Sequence, residues 1–376
     1  MKNNFKIKII GDNPSNLFLA LMLLKKGFKV EIYKNHDSKK RIRKKNLFLI
    51  SNTTKSILDD FNLWPFLKDN SYSIESILIK DISIFKKVNF SFLDMNSITK
   101  NTNNIAWILN YSDISECLLS ELAKFNNVFC ETYPEKNVSF IRSDNSSNLS
   151  NILNVFCNKI QEIFFDNDFN SSLEFNVSLR GNVKNRVYTI SINNGLIYLF
   201  PIKSNLFRVK WIMKNSNLQN RLSGGNSLLL DNLSSSLPGE LEVDQIYDDI
   251  NVISNQPFIF KRIFKTHELL IIQDETFKKF TLGIDSLNLS FSEAISIYNQ
   301  INNNQVKKSL SFKYYSYGLF IIKIFKFILF YSLKNLLIKN NYFYNFLKSL
   351  IFYLLNKNTS FKRFAFKNII SKFIIN

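Results

Sequence analysis

Gly11, Asn13 and Asn16 stand at the spacing of a G-x-G-x-x-G turn, between an apolar run (Ile7, Ile9, Ile10) and a helical stretch that opens at Pro14. Such a turn holds a pyrophosphate. Its first glycine makes the tight bend, its second lets the backbone approach the phosphates, and its third lets helix and strand pack closely. Only the first glycine is present here. Asn13 tolerates positive φ better than most residues, but it brings a side chain into the approach. Asn16 is bulkier and polar at the packing position. Lys34 closes the next strand, where a carboxylate would accept hydrogen bonds from ribose hydroxyls; an ammonium group cannot accept them, although it attracts phosphate. The chemistry on offer is dinucleotide or anion binding with a depleted cradle. The alternative is a purely structural strand–helix–strand unit.

Several elements must position these residues. The helix from Pro14 ends near Gly27, and a second strand runs from Val30 to Tyr33. A basic segment follows (Ser38 to Asn46), then a strand at Leu47–Ser51 and one helix through LDDFNLWPFL. Ile114, Leu118, Leu119 and Leu122 share one face of a helix over Tyr111–Lys124. Residues 143–151 read as a polar loop. Alternation from about Ser172 to Trp211 predicts antiparallel strands, and LLII (Leu269–Ile272) predicts another strand.

Composition narrows the function classes. The 376 residues carry 49 Lys and Arg against 30 Asp and Glu, a net charge of +19. An anionic partner is one reading of that balance; a general enrichment in Lys, Asn, Ile and Phe is the other. Three cysteines (Cys117, Cys130, Cys157) lack metal-ligand spacing, and an odd number argues against a disulfide framework. With only His36 and His267, no histidine-built metal site is expected. No secretory signal is visible, because the apolar run at Ile7–Ile10 is too short. After Glu293 the chain has no acidic residue. Gly318–Leu337 and Tyr342–Leu355 interleave aromatics, aliphatics and lysines, without about 18 uncharged apolar residues in a row. They read as helices packed on their own domain or lying on an anionic membrane surface. Nucleic acid is not expected, because the aromatics are spaced as helix faces.

In this order the segments resemble the flavin-dependent hydroxylases of ubiquinone biosynthesis, within the aromatic-ring hydroxylase (FAD-dependent monooxygenase) family. Gly11, Pro14, Leu21, Gly27 and Val30 match its first motif, followed by LFLIS and FNLWPFL. The helix at Asp113–Leu122 falls where the family has N-R-x-L, with Ser112 in place of the arginine. Gly195, Pro201 and Trp211 match a strand pair of its substrate domain. IQDETFKKFTLGIDSLNL aligns without a gap on the second flavin motif. Asp274 keeps the ribitol-binding aspartate, and Leu287, Asn288 and Leu289 keep L-N-L, while Gln273, Ile284 and Ser286 replace glycines. The Asp-Gly motif falls on Asn158 and Lys159.

The resemblance implies an α/β fold: a Rossmann-like parallel-sheet FAD domain (1–70, 101–170, 264–310), an antiparallel β-sheet substrate domain (71–100, 171–263) and basic aromatic C-terminal helices (311–376). It implies FAD, with NAD(P)H as reductant, hydroxylation of a polyprenylated phenol, and no catalytic side chain, because the cofactor carries the chemistry. The implied cofactor residues are Gly11, Asn13, Pro14, Lys34, Lys45, Asp274, Ser286, Leu287 and Asn288. Lipid-like substrates, quinone-biosynthesis proteins and a cytoplasmic location at the inner membrane surface follow from the same likeness. The polar motifs are eroded while the hydrophobic framework stays. That pattern equally fits a non-catalytic lipid-binding or scaffold member.

Overall fold

The computed structural model describes residues 6–34, 47–91, 104–125, 128–132, 171–181, 185–193, 195–237, 241–247, 249–254, 269–272, 286–302 and 335–365, with 239 and 332. The chain enters as β1 (Lys6–Ile10), α1 (Pro14–Lys25) and β2 (Lys29–Lys34). Gly27, at φ +84, ends the helix. β1 is central in a four-stranded sheet. It pairs in parallel with β2 on one side and β15 (Leu269–Ile272) on the other, and β8 (Val128–Thr132) extends the sheet beyond β2. Ile10 lies opposite Ile272, so β15 runs out beside the Gly11 turn.

Every residue of α1 from Pro14 to Leu24 is buried. A helix apolar all round belongs in an interior. α1 packs against α4 (Tyr111–Leu122) and α7 (Ser286–Asn302) as well as the sheet. Phe18 stacks on Phe291 (centroids 4.7 Å) and meets Phe61 edge-on at 5.1 Å.

A second, three-stranded antiparallel sheet has the order β3 (Leu47–Ser51), β7 (Ala106–Asn110), β4 (Tyr72–Ile74). The expected single helix after β3 is two helices, α2 (Asn52–Asp60) and α3 (Trp64–Lys68). Asn62 breaks them at φ +58, a conformation that Asn reaches more readily than most residues.

The third sheet has the order β13 (Leu241–Ile246), β9 (Ser171–Gly181), β12 (Leu206–Met213), β11 (Gly195–Pro201), β10 (Arg186–Ile192), β5 (Ser76–Asp81), β6 (Lys86–Ser91), and β14 (Asn251–Ser254) also pairs with β9. The β9–β12 strands are antiparallel, as their alternation predicts. β5 and β10 pair in parallel, which makes the sheet mixed. Both faces are covered. Along β11, Ile197 and Leu199 join a core with Leu218 of α5 (Asn215–Ser223) and Leu229 of α6 (Gly225–Ser236). Leu196, Tyr198 and Phe200 join the core that holds α1 and β1.

The described part of the C-terminal segment packs on this molecule. α8 (Tyr342–Lys357) and α9 (Thr359–Ala365) place Phe352, Leu355 and Ala365 in the α1 core. Lys348, 1% exposed, forms an ion pair with fully buried Asp81 (Nζ–Oδ2 2.9 Å). Lys86 Nζ donates to the Ser349 hydroxyl at 2.7 Å.

Candidate functional site

The sheet edge where β1 meets α1 carries the first group of expected residues. Gly11 has φ +103, a backbone region that L side chains rarely adopt. Its N–H donates to the Tyr33 carbonyl of β2 at 2.8 Å, which ties the turn to the neighbouring strand. A Cβ at this position would come within 3.1 Å of Asn16 Nδ2. That amide fills the space beside the turn and donates to the Gly11 carbonyl at 3.2 Å.

Asn13 sits at φ −72, so its backbone does not require glycine. What the second glycine position has lost is room. Asn13 Oδ1 accepts from the Asn16 N–H at 2.9 Å and from the Ser15 hydroxyl at 2.8 Å, which makes it the N-cap of α1. Pro14, the first helical residue, has no N–H to offer. Of the first three helical amides, two are therefore withheld from an anion. Asn13, Pro14, Ser15 and Asn16 are all buried.

The second group comes from the start of α7. Ser286 is its first residue, and Leu287 lies in the α1 core. Asn288 is 1% exposed, and its side chain faces β3. Nδ2 donates to the Leu49 carbonyl at 2.7 Å, and Oδ1 accepts from the Ser51 N–H at 3.3 Å. β3 is the edge of its sheet, so the carboxamide bonds the two backbone groups that a further strand would take. Lys34 is the last residue of β2. Lys45, Asp274, Asn158 and Lys159 lie outside the described residues.

A third group was missed at the sequence level. Pairing puts Asn176 opposite Arg208, and Arg208 opposite Phe200. All three share the sheet face that holds Tyr198 and Leu196, turned towards the α1 core. Asn176 and Arg208 are buried, and beside them Lys210 pairs with Glu174 at 3.5 Å. Tyr198 and Phe200 are stacked, with centroids 5.9 Å apart and planes at 6°. A polar strip thus borders an aromatic wall. The available signal was a polar alternation (Glu174, Asn176; Arg208, Lys210) in phase with the aromatic positions of β11. Alternation alone does not say which sheet face meets the parallel sheet.

Elsewhere, burial pushes the Cys117 thiol up to about 11; nearby Glu121 adds to the rise and Lys124 opposes it. A thiol held protonated is a poor nucleophile. Among the described residues no group of His, Cys, Asp or Glu could hold a metal ion, and no helix is long and apolar enough to cross a membrane.

The backbone frame fits the nucleotide half of FAD: a positive-φ glycine, parallel strands and a helix N-terminus at the carboxyl edge of the sheet. The donor set is reduced by Asn13 and Pro14.

The sequence matches no family model, and no curated protein matches it. Solved structures match over nearly the whole length. A p-nitrophenol 4-monooxygenase from Pseudomonas putida aligns with TM-score 0.62 at 12% identity, over 95% of this chain and 96% of that one. The flavin-dependent halogenase CmlS aligns with TM-score 0.59 at 15% identity, over 92% of this chain and 67% of that one. A geranylgeranyl bacteriochlorophyll reductase-like protein from Thermoplasma acidophilum gives 0.54 at 14% identity, over 90% and 88%. This chain shares their α/β fold.

Proposed function

We propose that this protein is a flavin-dependent monooxygenase that binds FAD at the Gly11 turn and hydroxylates a phenol bearing a long apolar substituent, in ubiquinone biosynthesis. One observation carries the reading. The Gly11 turn and the Tyr198–Phe200 wall with its buried Arg208 and Asn176 border one continuous core, within a fold shared with a monooxygenase and a flavin-dependent halogenase. Bound FAD would supply reduction by a nicotinamide and activation of O₂. The chain's own residues do the rest. Gly11 and the Ser15 amide receive the pyrophosphate at the helix N-terminus. Tyr198 and Phe200 hold the aromatic ring and exclude water. Arg208 and Asn176 present polar hydrogens to the phenol oxygen and fix which ring edge faces the cofactor.

A visible absorption spectrum of the purified protein, with and without added FAD, tests this reading. A bound flavin band, with NADPH consumed on addition of a prenylated phenol, is the expected result. A folded protein that takes up no FAD would overturn it.

The Asn13 cap favours a second reading. With two of three N-terminal amides withheld, the chain serves as a non-catalytic lipid-binding or scaffold protein of a quinone-biosynthesis assembly. The same spectrum separates the two readings.

A further inference from the structure

Helix α8 has two apolar faces, and among the described residues only one is packed into the core. Phe352 and Leu355 enter the core with paired Lys348. Tyr342, Phe343, Phe346, Leu350, Tyr353 and Leu354 are between 37% and 91% exposed. At 3.6 residues per turn these six fall within an arc of about 120° on the opposite side. Isolated exposed apolar residues are ordinary, but six on one stripe of a well-anchored helix mark an interaction surface.

We propose that this stripe docks on an anionic lipid bilayer, with α8 lying in the plane of the interface. The proposal is independent of the flavin reading. Charge selects the occupant. Lys357 sits within the stripe's arc, its Nζ 2.8 Å from the Tyr353 hydroxyl. Lys339 lies over the Tyr344 ring just before the helix, and Lys362 and Arg363 follow in α9. From Ala294 to the last residue the chain has 13 Lys and Arg and no acidic residue. A second copy of α8 and α9 would bring like charges together, with no carboxylate in either helix to answer them. A bilayer carrying anionic headgroups answers the cations and covers the aromatics together. Lys348 and Asp81 hold the helix from behind, and Lys86 bonds Ser349, so docking requires no rearrangement of the core.

The test uses the full chain and co-sedimentation with vesicles of phosphatidylcholine alone, or mixed one to one with phosphatidylglycerol. The protein should partition onto the mixed vesicles at low salt and at least about tenfold less at roughly 0.5 M salt. Phe346→Ser with Leu350→Ser should reduce partition by about tenfold or more. Lys357→Gln should reduce it roughly fivefold. Thermal melts check the fold, and Lys357→Gln carries the test if the double variant melts early. No partition onto mixed vesicles, equal partition onto neutral ones, or equal partition by wild type and both variants would overturn the proposal. So would a dimer that the double substitution abolishes in the absence of any vesicle binding. Lipid partition is read without FAD, so its failure and failure of the flavin reading are separate results.

Discussion

Asn288 of α7 and Leu49 of β3 are joined by a side-chain amide that takes the place of a missing strand: Nδ2 reaches the Leu49 carbonyl at 2.7 Å while Oδ1 receives the Ser51 N–H. Leucine at 288 would fill similar volume but leave two buried backbone groups without this partner. Each such loss costs about 1–3 kcal/mol. Urea unfolding of Asn288→Leu should therefore show a drop of roughly 2–6 kcal/mol. A variant as stable as wild type would mean that β3 finds another neighbour.

Asn13→Gly separates capping from cofactor binding. Glycine is nearly as good an N-cap as asparagine, so stability should fall by only a few tenths of a kcal/mol, roughly. The Asn16 amide becomes available, and FAD affinity measured by absorbance titration should rise. If the glycine variant binds no more FAD than wild type, the Asn13 side chain is not what closes the cradle.

The Lys348–Asp81 pair should be sensitive to removal of one partner and tolerant of removal of both. Asp81 Oδ1 also accepts the Ser83 and Ile84 N–H groups, at 2.9 and 3.2 Å. Lys348→Met leaves a buried carboxylate without its counter-ion, for a loss of about 3–5 kcal/mol. Lys348→Met with Asp81→Asn should recover part of that loss. Equal melting of the single variant and wild type would contradict the burial of the pair.

Cys117 should resist alkylation. With the thiol pushed up to about 11 by burial, by Glu121 and against Lys124, the thiolate stays scarce near pH 8. Iodoacetamide labelling at Cys117, followed by peptide mass spectrometry, should be roughly 100-fold slower than for an ordinary thiol at that pH. The raised value also has a sign for stability. The protonated thiol favours the folded state, and that contribution is intact below about pH 9. It is lost as pH rises towards 11, because the unfolded chain ionises first.

Local patterns carried the β1–α1–β2 unit, β3, and the alternating strands β9–β12 into view, because each depends on residues close in sequence. The features that fix the site depend on distant partners. Asn288 matched a flavin motif by sequence, yet its side chain is bonded to a strand 239 positions away. Lys348 read as one of several lysines on an apolar helix, where a solvent-seeking side chain is the ordinary outcome. Its burial needs Asp81, which nothing near residue 348 announces. The break at Asn62 escaped because a single left-handed residue leaves the surrounding apolar spacing unchanged.

The pairing of Ile7 with Leu269 has a consequence for biosynthesis. β1 lies inside its sheet, and β15, one of its two neighbours, is synthesised about 260 residues after it. At about 5–20 residues per second, one flank of β1 waits on the order of ten to fifty seconds for its partner. During that interval an apolar β-edge is open to other nascent chains, and a chaperone that shields the β1–α1–β2 unit would raise the yield of folded protein.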